Sequence, residues 1–280
     1  MVISELLAKV SKELEENGIE NPRFDASCIL GYVLKMPYAH LLLNSKKEVQ
    51  DADISAAFEL LKKRLAHEPL QYILGTQDFM SLTFFVSPDV LIPRQDTETL
   101  VEFVLSQKED FPASVLDIGT GTGCIPISLA HFRKNFKCLG VDVSEKAVLL
   151  ARKNAENLGV SERAAFEILD IMTDIPFGKF DIAVSNPPYI KSGDIKTLQP
   201  EVRLFEPHLA LDGGDDGLIF YRRICEIAPK ILNKGGLLAF EIGFDQADYV
   251  RKIMDKNFKD IKIIKDLTGN DRVVSGYLSS

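Results

Sequence analysis

The amino-acid sequence predicts an α/β protein: a doubly wound, mostly parallel seven-stranded sheet, preceded by a small helical domain and a β-hairpin linker. Three observations predict it. From about residue 94, short apolar runs alternate with amphipathic stretches of helix length, the pattern of βαβ units. A glycine-rich segment, Asp117-Ile118-Gly119-Thr120-Gly121-Thr122-Gly123, joins one such run to the helix that follows it. Asn186-Pro187-Pro188-Tyr189 follows another run, Phe180 to Ser185. Two prolines lack N–H donors and cannot continue a ladder, so the chain leaves the sheet there, at the edge where open α/β sheets bind ligands.

The elements follow in order. Residues 1–75 read as helical: Ile3, Leu6, Leu7, Val10 and Leu14 recur at helical spacing up to a stop at Asn17-Gly18. Phe24 to Leu34 and Asp53 to Leu65 give two further helices. Residues 76–93 are rich in β-branched and aromatic residues, with Ser87-Pro88-Asp89 between two apolar runs, and read as a β-hairpin linker. Residues 94–280 form the sheet domain. Its predicted strands are Ser114–Ile118, Cys138–Val141, Phe166–Leu169, Phe180–Ser185, Gly236–Ile242, Ile261–Lys265 and Val273–Leu278. Helices are predicted over Glu98–Gln107, Ile125–Phe132, Glu145–Asn157, Leu218–Leu232 and Gln246–Asn257. No helix separates the last two strands, so they should pair antiparallel at one end of the sheet.

Composition removes several function classes. The 280 residues are 46% hydrophobic and 26% charged, ordinary for a globular protein. The first residues, MVISELLAKVSKELEEN, lack the basic start and long apolar core of a secretory signal, and no apolar run approaches the ~20 residues that span a bilayer. Cys28, Cys124, Cys138 and Cys225 are scattered, as are His40, His67, His131 and His208, which supports neither disulfides nor a metal centre. A reducing cytoplasm is the expected setting, with no membrane partner. The net charge of −8 disfavours sequence-independent nucleic-acid affinity, so no stable DNA binding is expected.

The glycine segment fails two common templates. Cys124 stands where a dinucleotide fingerprint needs its third glycine, and no Gly-Lys-Ser/Thr completes a phosphate loop. What remains is G-x-G-x-G preceded by an acid, which suits a cation better than a pyrophosphate. Asp142 ends the second strand and can accept both hydroxyls of a ribose. Asp170 follows the third, beside apolar Ile171, a pairing that fits an adenine amine and its ring face. One such acid is as well explained as a helix cap. Three in series beside a glycine loop point to a cationic ligand carrying ribose and adenine, which describes S-adenosyl-L-methionine. The segment Val115 to Asp142 resembles the cofactor half of Rossmann-like class I methyltransferases.

Within those enzymes, Asn-Pro-Pro-Tyr after the fourth strand resembles the signature for methylating planar amide or exocyclic amine nitrogens. Asn186 and the Pro187 carbonyl can hold two N–H groups, and Tyr189 can pack on a flat face. Adenine, cytosine and a glutamine amide all satisfy this. The segments Glu68-Pro69-Leu70-Gln71-Tyr72, Pro93-Arg94-Gln95-Asp96-Thr97-Glu98, Glu206-Pro207-His208 and Asp212-Gly213-Gly214-Asp215-Asp216-Gly217 narrow the choice. With NPPY they resemble, over essentially the whole chain, the HemK/PrmC family of protein-(glutamine-N5) methyltransferases. That resemblance implies methyl transfer to the glutamine of the Gly-Gly-Gln motif of class I peptide-chain release factors. It also implies that Gly119, Thr120, Gly121, Thr122, Gly123 and Asp142 bind the cofactor, with Asp170 and Ile171 at the adenine. Asn186, Pro187, Pro188 and Tyr189 would grip the acceptor. Arg94 either touches substrate or pairs with a local carboxylate, and Thr97 reads as an N-cap. The helical domain, with no chemistry of its own, is expected to dock the release factor. Rival readings are a ribosomal-protein glutamine methyltransferase, an adenine-N6 nucleic-acid methyltransferase, a non-catalytic cofactor-binding assembly factor, and a nicotinamide oxidoreductase.

Overall fold

The structure, a computed structural model, describes residues 1–107 and 112–279. It contains two compact units, Met1–Gly75 with Gln199–Phe205, and Thr76–Leu198 with Glu206–Ser280.

The first unit is built from α1 (Ile3–Glu16), α2 (Pro22–Leu34), α3 (Tyr38–Leu43), α4 (Asp51–Leu65) and α5 (Leu70–Leu74). Helix α1 buries Ile3, Leu6, Val10 and Leu14 on one stripe, each burial contributing about 1.5–3 kcal/mol. The Glu5 carboxylate reaches back to accept from the Val2 N–H at 2.9 Å, which satisfies one orphan donor at the helix start. Helix α4 carries Asp51 and Asp53 in its first turn and Lys62, Lys63 and Arg64 in its last, complementing the helix dipole. Helices α3 and α5 are too short to show a period in sequence.

One buried ion cluster holds the excursion Gln199–Phe205 to this unit. Arg64 Nε donates to Asp25 Oδ2 at 2.6 Å and Arg64 Nη2 to Glu201 Oε1 at 2.7 Å. Arg64 and Asp25 are each only 5% exposed. Burial pushes the Asp25 carboxyl up, and the Arg64 guanidinium opposes that rise.

The second unit starts with a hairpin, β1 (Thr76–Phe79) and β2 (Leu82–Phe85). Its turn is Met80-Ser81, both at positive φ (49° and 59°), and not Ser87-Pro88-Asp89 as the sequence suggests. Neither residue favours that conformation. It is held in place by the Met80 N–H, which donates to Glu98 Oε1 at 2.7 Å.

Then come α6 (Glu98–Gln107), β3 (Ala113–Ile118), α7 (Cys124–Phe132), β4 (Phe136–Asp142), α8 (Glu145–Asn157), β5 (Ala164–Ile168) and β6 (Phe180–Ser185). The short helix α9 (Pro200–Phe205) lies in the excursion to the first unit. The chain ends with α10 (Ile219–Ile231), β7 (Leu232–Glu241), α11 (Ala247–Met254), β8 (Phe258–Lys265) and β9 (Asp271–Leu278). The seven-stranded sheet has the order β5-β4-β3-β6-β7-β9-β8. Pairs are parallel from β5 to β7, and β9 is antiparallel to both β7 and β8.

Side chains alternate between two apolar layers. Leu237 and Ala239 of β7 join one core with α6, α7 and α8, whereas Leu238 and Phe240 join the other with α10 and α11. Burial on both faces is why these strands read as continuous apolar runs. The strand order reverses between β3 and β6, and such a switch point opens a crevice at the carboxyl ends.

Candidate active site

The glycine loop and the NPPY segment leave neighbouring strands at that switch point. Ile118 and Ser185 are register partners, so Gly119 and Asn186 follow side by side. The loop doubles back: the Gly119 and Thr120 N–H groups donate to the Val141 carbonyl at 2.9 and 3.0 Å. Gly119, Gly121 and Gly123 all sit at positive φ, between 53° and 78°. A Cβ on Gly119 or Gly121 would meet nothing within 4 Å, whereas one on Gly123 would lie 2.9 Å from Ile127 and 3.1 Å from Phe166. The first two glycines therefore face open space, and the third lets α7 pack.

Asp142 is locked into this loop. Its Oδ2 accepts from Gly121 N and its Oδ1 from Ser144 N, both at 2.9 Å. Burial pushes its carboxyl up, and these N–H groups restrain the rise. Beneath the loop, Asp117 is wholly buried and neither carboxylate oxygen has a hydrogen-bond partner. Burial pushes it up to about 7; the Thr120 hydroxyl lies beside it and tempers the rise without completing a hydrogen bond. An orphaned buried carboxylate needs an explanation, and a cationic ligand above the loop supplies one.

A cavity of about 320 Å³ opens over these groups. Gly119, Gly121, Asp142, Asp170, Ile171, Asn186, Pro187 and Pro188 line it. Thr120, Thr122, Gly123, Tyr189 and Arg94 do not. Thr120 and Thr122 are buried, and the Thr122 carbonyl accepts from Asn154 Nδ2 at 2.9 Å. The Tyr189 ring packs against the α10–α11 core, and burial pushes its hydroxyl up to about 12. Arg94 Nη2 donates to Glu206 Oε2 at 2.6 Å, so its partner is a carboxylate 112 residues away and not a local one. The Thr97 hydroxyl accepts from Asn186 Nδ2 at 3.2 Å. It is an anchor for Asn186, not the helix cap expected from sequence.

Several wall residues gave no local signal. Pro88, Val90 and Leu91 come from the chain after the hairpin, and Pro207, Leu209 and Ala210 from the segment after Glu206. Asn154, fully buried, ties β2 to the glycine loop by bonding both Phe85 backbone groups and the Thr122 carbonyl. Glu241 ends β7 as a buried acid. The rule that picked out Asp117 and Asp142, an acid at a strand's carboxyl end, finds Glu241 when applied to Gly236–Ile242. Among the described residues no cluster of His, Cys, Asp or Glu could hold a metal ion, and no helix is long and apolar enough to cross a membrane.

This arrangement can hold a cationic adenosyl ligand beside a polar loop. Residues 5–75 match the PrmC N-terminal domain family, and residues 112–272 match a methyltransferase domain family. A release factor glutamine methyltransferase of Geobacter sulfurreducens is 44% identical over 272 residues, covering 95% of this chain and 93% of that protein. One from Moorella thermoacetica is 37% identical over 280 residues, covering 99% of each. Among solved structures, a methyltransferase from Pyrococcus furiosus has a TM-score of 0.54 at 20% identity, covering 81% of this chain and 98% of that one, a likeness of fold. The chain belongs to the family of release factor glutamine methyltransferases.

Proposed function

We propose that this protein transfers the methyl group of S-adenosyl-L-methionine to the side-chain amide N5 of the glutamine in the Gly-Gly-Gln motif of class I peptide-chain release factors. One observation carries the reading. Asn186 lines the cavity beside Gly119, and its Nδ2 is engaged by Thr97, which leaves Oδ1 as the free acceptor.

The cofactor, when bound, supplies an electrophilic methyl on a sulfonium. Asp142 keeps a lone pair on each oxygen beyond its two backbone partners, enough for the two hydroxyls of a ribose. Asp170 and Ile171 would flank the adenine, and the Gly119–Gly123 loop would run along the methionine part. Asp117, below the loop, supplies negative charge for the cation. An acceptor amide is a poor nucleophile because its lone pair is delocalised. Asn186 Oδ1 and the Pro187 carbonyl would take its two N–H groups, orient the nitrogen and stabilise positive charge as it develops. The proton leaves after transfer, so no strong base is needed. Pro188 stiffens the loop; Tyr189, packed in the core, anchors its far end. Arg94, bound to Glu206, would steady the Glu206–Ala210 wall and through it the acceptor. A release factor substrate places the protein in the cytoplasm.

The test is label transfer from S-adenosyl-L-methionine to three acceptors: a class I release factor, the same factor with its motif Gln replaced, and duplex DNA. Label in the intact factor alone is expected. Label in the Gln-replaced factor or in DNA overturns the proposal.

A further inference from the structure

Strand β7 ends in Glu241-Ile242-Gly243, and α11 is preceded by Gln246. Neither Glu241 nor Gln246 lines the cavity. Gln246 holds the main chain of the NPPY loop. Gln246 Nε2 donates to the Tyr189 carbonyl at 3.0 Å, and Gln246 Oε1 accepts from Gly243 N at 3.0 Å and from the Tyr221 hydroxyl at 3.4 Å. A Cβ on Gly217 would fall 2.4 Å from the same Tyr189 carbonyl, so the 212–217 loop closes against it. With the backbone pinned, the remaining freedom is the direction of the Asn186 amide.

That direction is decided by Thr97. Its side chain is 2% exposed and its hydroxyl accepts from Asn186 Nδ2. Beside it sits the Glu241 carboxyl, 1% exposed, with Oε2 lacking any hydrogen-bond partner. A hydroxyl carries one proton and an ionised carboxylate only accepts. The Thr97 hydroxyl completes no hydrogen bond to Glu241 in the structure, but an ionised Glu241 offers its proton an acceptor; Thr97 then takes only an N–H from Asn186, which leaves Asn186 Oδ1 free. We propose that Glu241 is a positioning residue for methyl transfer, acting through the Thr97 hydroxyl to set the orientation of the Asn186 amide. This rests on the reading of Asn186 as the acceptor clamp.

The relay holds while Glu241 is ionised. Burial pushes its carboxyl up to about 7, opposed by Thr97 and by Arg272 of β9. The other charged or titratable groups facing it are Arg94 and Asp96, Tyr189, Tyr221 of α10 and Cys124 of α7. Protonated, Glu241 can itself donate to Thr97, which frees the hydroxyl to donate to Asn186 Oδ1 and block it. Turnover at saturating cofactor is then lower near pH 6 than near pH 8.

The experiment compares wild type, Thr97→Val, Thr97→Ser, Glu241→Gln and Asn186→Ala on a release factor, with kcat, KM and calorimetric cofactor affinity. Thr97→Val and Glu241→Gln are expected to lower kcat at least about tenfold, the scale of one misdirected hydrogen bond in the transition state, with cofactor affinity within about twofold. Thr97→Ser should recover most of the loss, and Glu241→Gln should flatten kcat between pH 6 and 8. Wild-type kcat in Thr97→Val or Glu241→Gln, with turnover lost in Asn186→Ala, overturns the relay and leaves the clamp standing. Thr97→Ser as impaired as Thr97→Val overturns it too, since packing and not the hydroxyl would then matter. Retained turnover in Asn186→Ala overturns the clamp itself.

Discussion

The Ser185 hydroxyl donates to the Ile118 carbonyl at 2.7 Å, locking together the last paired residues of β3 and β6. The next residue on one strand is Gly119 of the glycine loop, and on the other Asn186. The glycine loop and the NPPY loop thus start from one rigid point. Asn186→Ala should lower methyl transfer about 10²–10³-fold while cofactor affinity changes little, because it removes the amide grip and leaves the glycine loop. Calorimetry beside single-turnover kinetics checks the split.

Gly121 and Gly123, two positions apart in the loop, should behave differently. Gly121→Ala meets open space but must hold φ 53°, a strain of about 1–2 kcal/mol, and its methyl points where a ligand would lie. It should fold and lose cofactor affinity. Gly123→Ala drives a methyl to within 3.0 Å of Ala151 and 2.9 Å of Ile127, and should lose thermal stability outright. Thermal melts and titration calorimetry on both variants distinguish the two effects.

The buried Asp117 carboxyl predicts that cofactor binding depends on pH. Its carboxyl is raised to about 7 in the folded protein from an ordinary value of 3.8. Folding therefore takes up a proton between those values, so this group's contribution to stability is full below about 4 and is lost as pH rises through about 7. A cation prefers the ionised form, so cofactor affinity should rise from pH 6 to 8 as stability falls. Asp117→Asn should remove both slopes, read by calorimetry and by urea melts across that range.

Arg64 holds Asp25 and Glu201 together in the helical unit. Arg64→Met leaves a buried carboxyl without its partner, an expected loss of about 3–5 kcal/mol. Because burial already pushes Asp25 up, it can take a proton, which puts the loss at the lower end. Hydrogen exchange should quicken across Gln199–Phe205, the segment Glu201 anchors.

The helical unit is proposed to dock the release factor. On α2, Phe24 is 63% exposed and Tyr32 55%, eight positions apart on one helix face, and Leu43 of α3 is 81% exposed. Phe24→Ser with Tyr32→Ser should raise KM for intact release factor several-fold while leaving cofactor affinity unchanged. Unchanged KM would rule this face out as the docking surface.

The amino-acid sequence by itself determined the alternation of strands and helices, the two-faced burial, the glycine loop and NPPY. Each is a local matter: continuous apolar runs, glycines placed for positive φ, prolines that end a strand. Hairpin and anchors were different. The Met80-Ser81 turn contradicts local turn chemistry and stands because Glu98 holds Met80 N. Asn186 meets Thr97 across 89 residues, Arg94 meets Glu206 across 112, and Arg64 meets Glu201 across 137. Single polar side chains carry no periodic signal, and a buried donor or acceptor takes its partner from whatever packing brings near. Only the tertiary structure decided which groups stand behind Asn186, and so which way its amide faces.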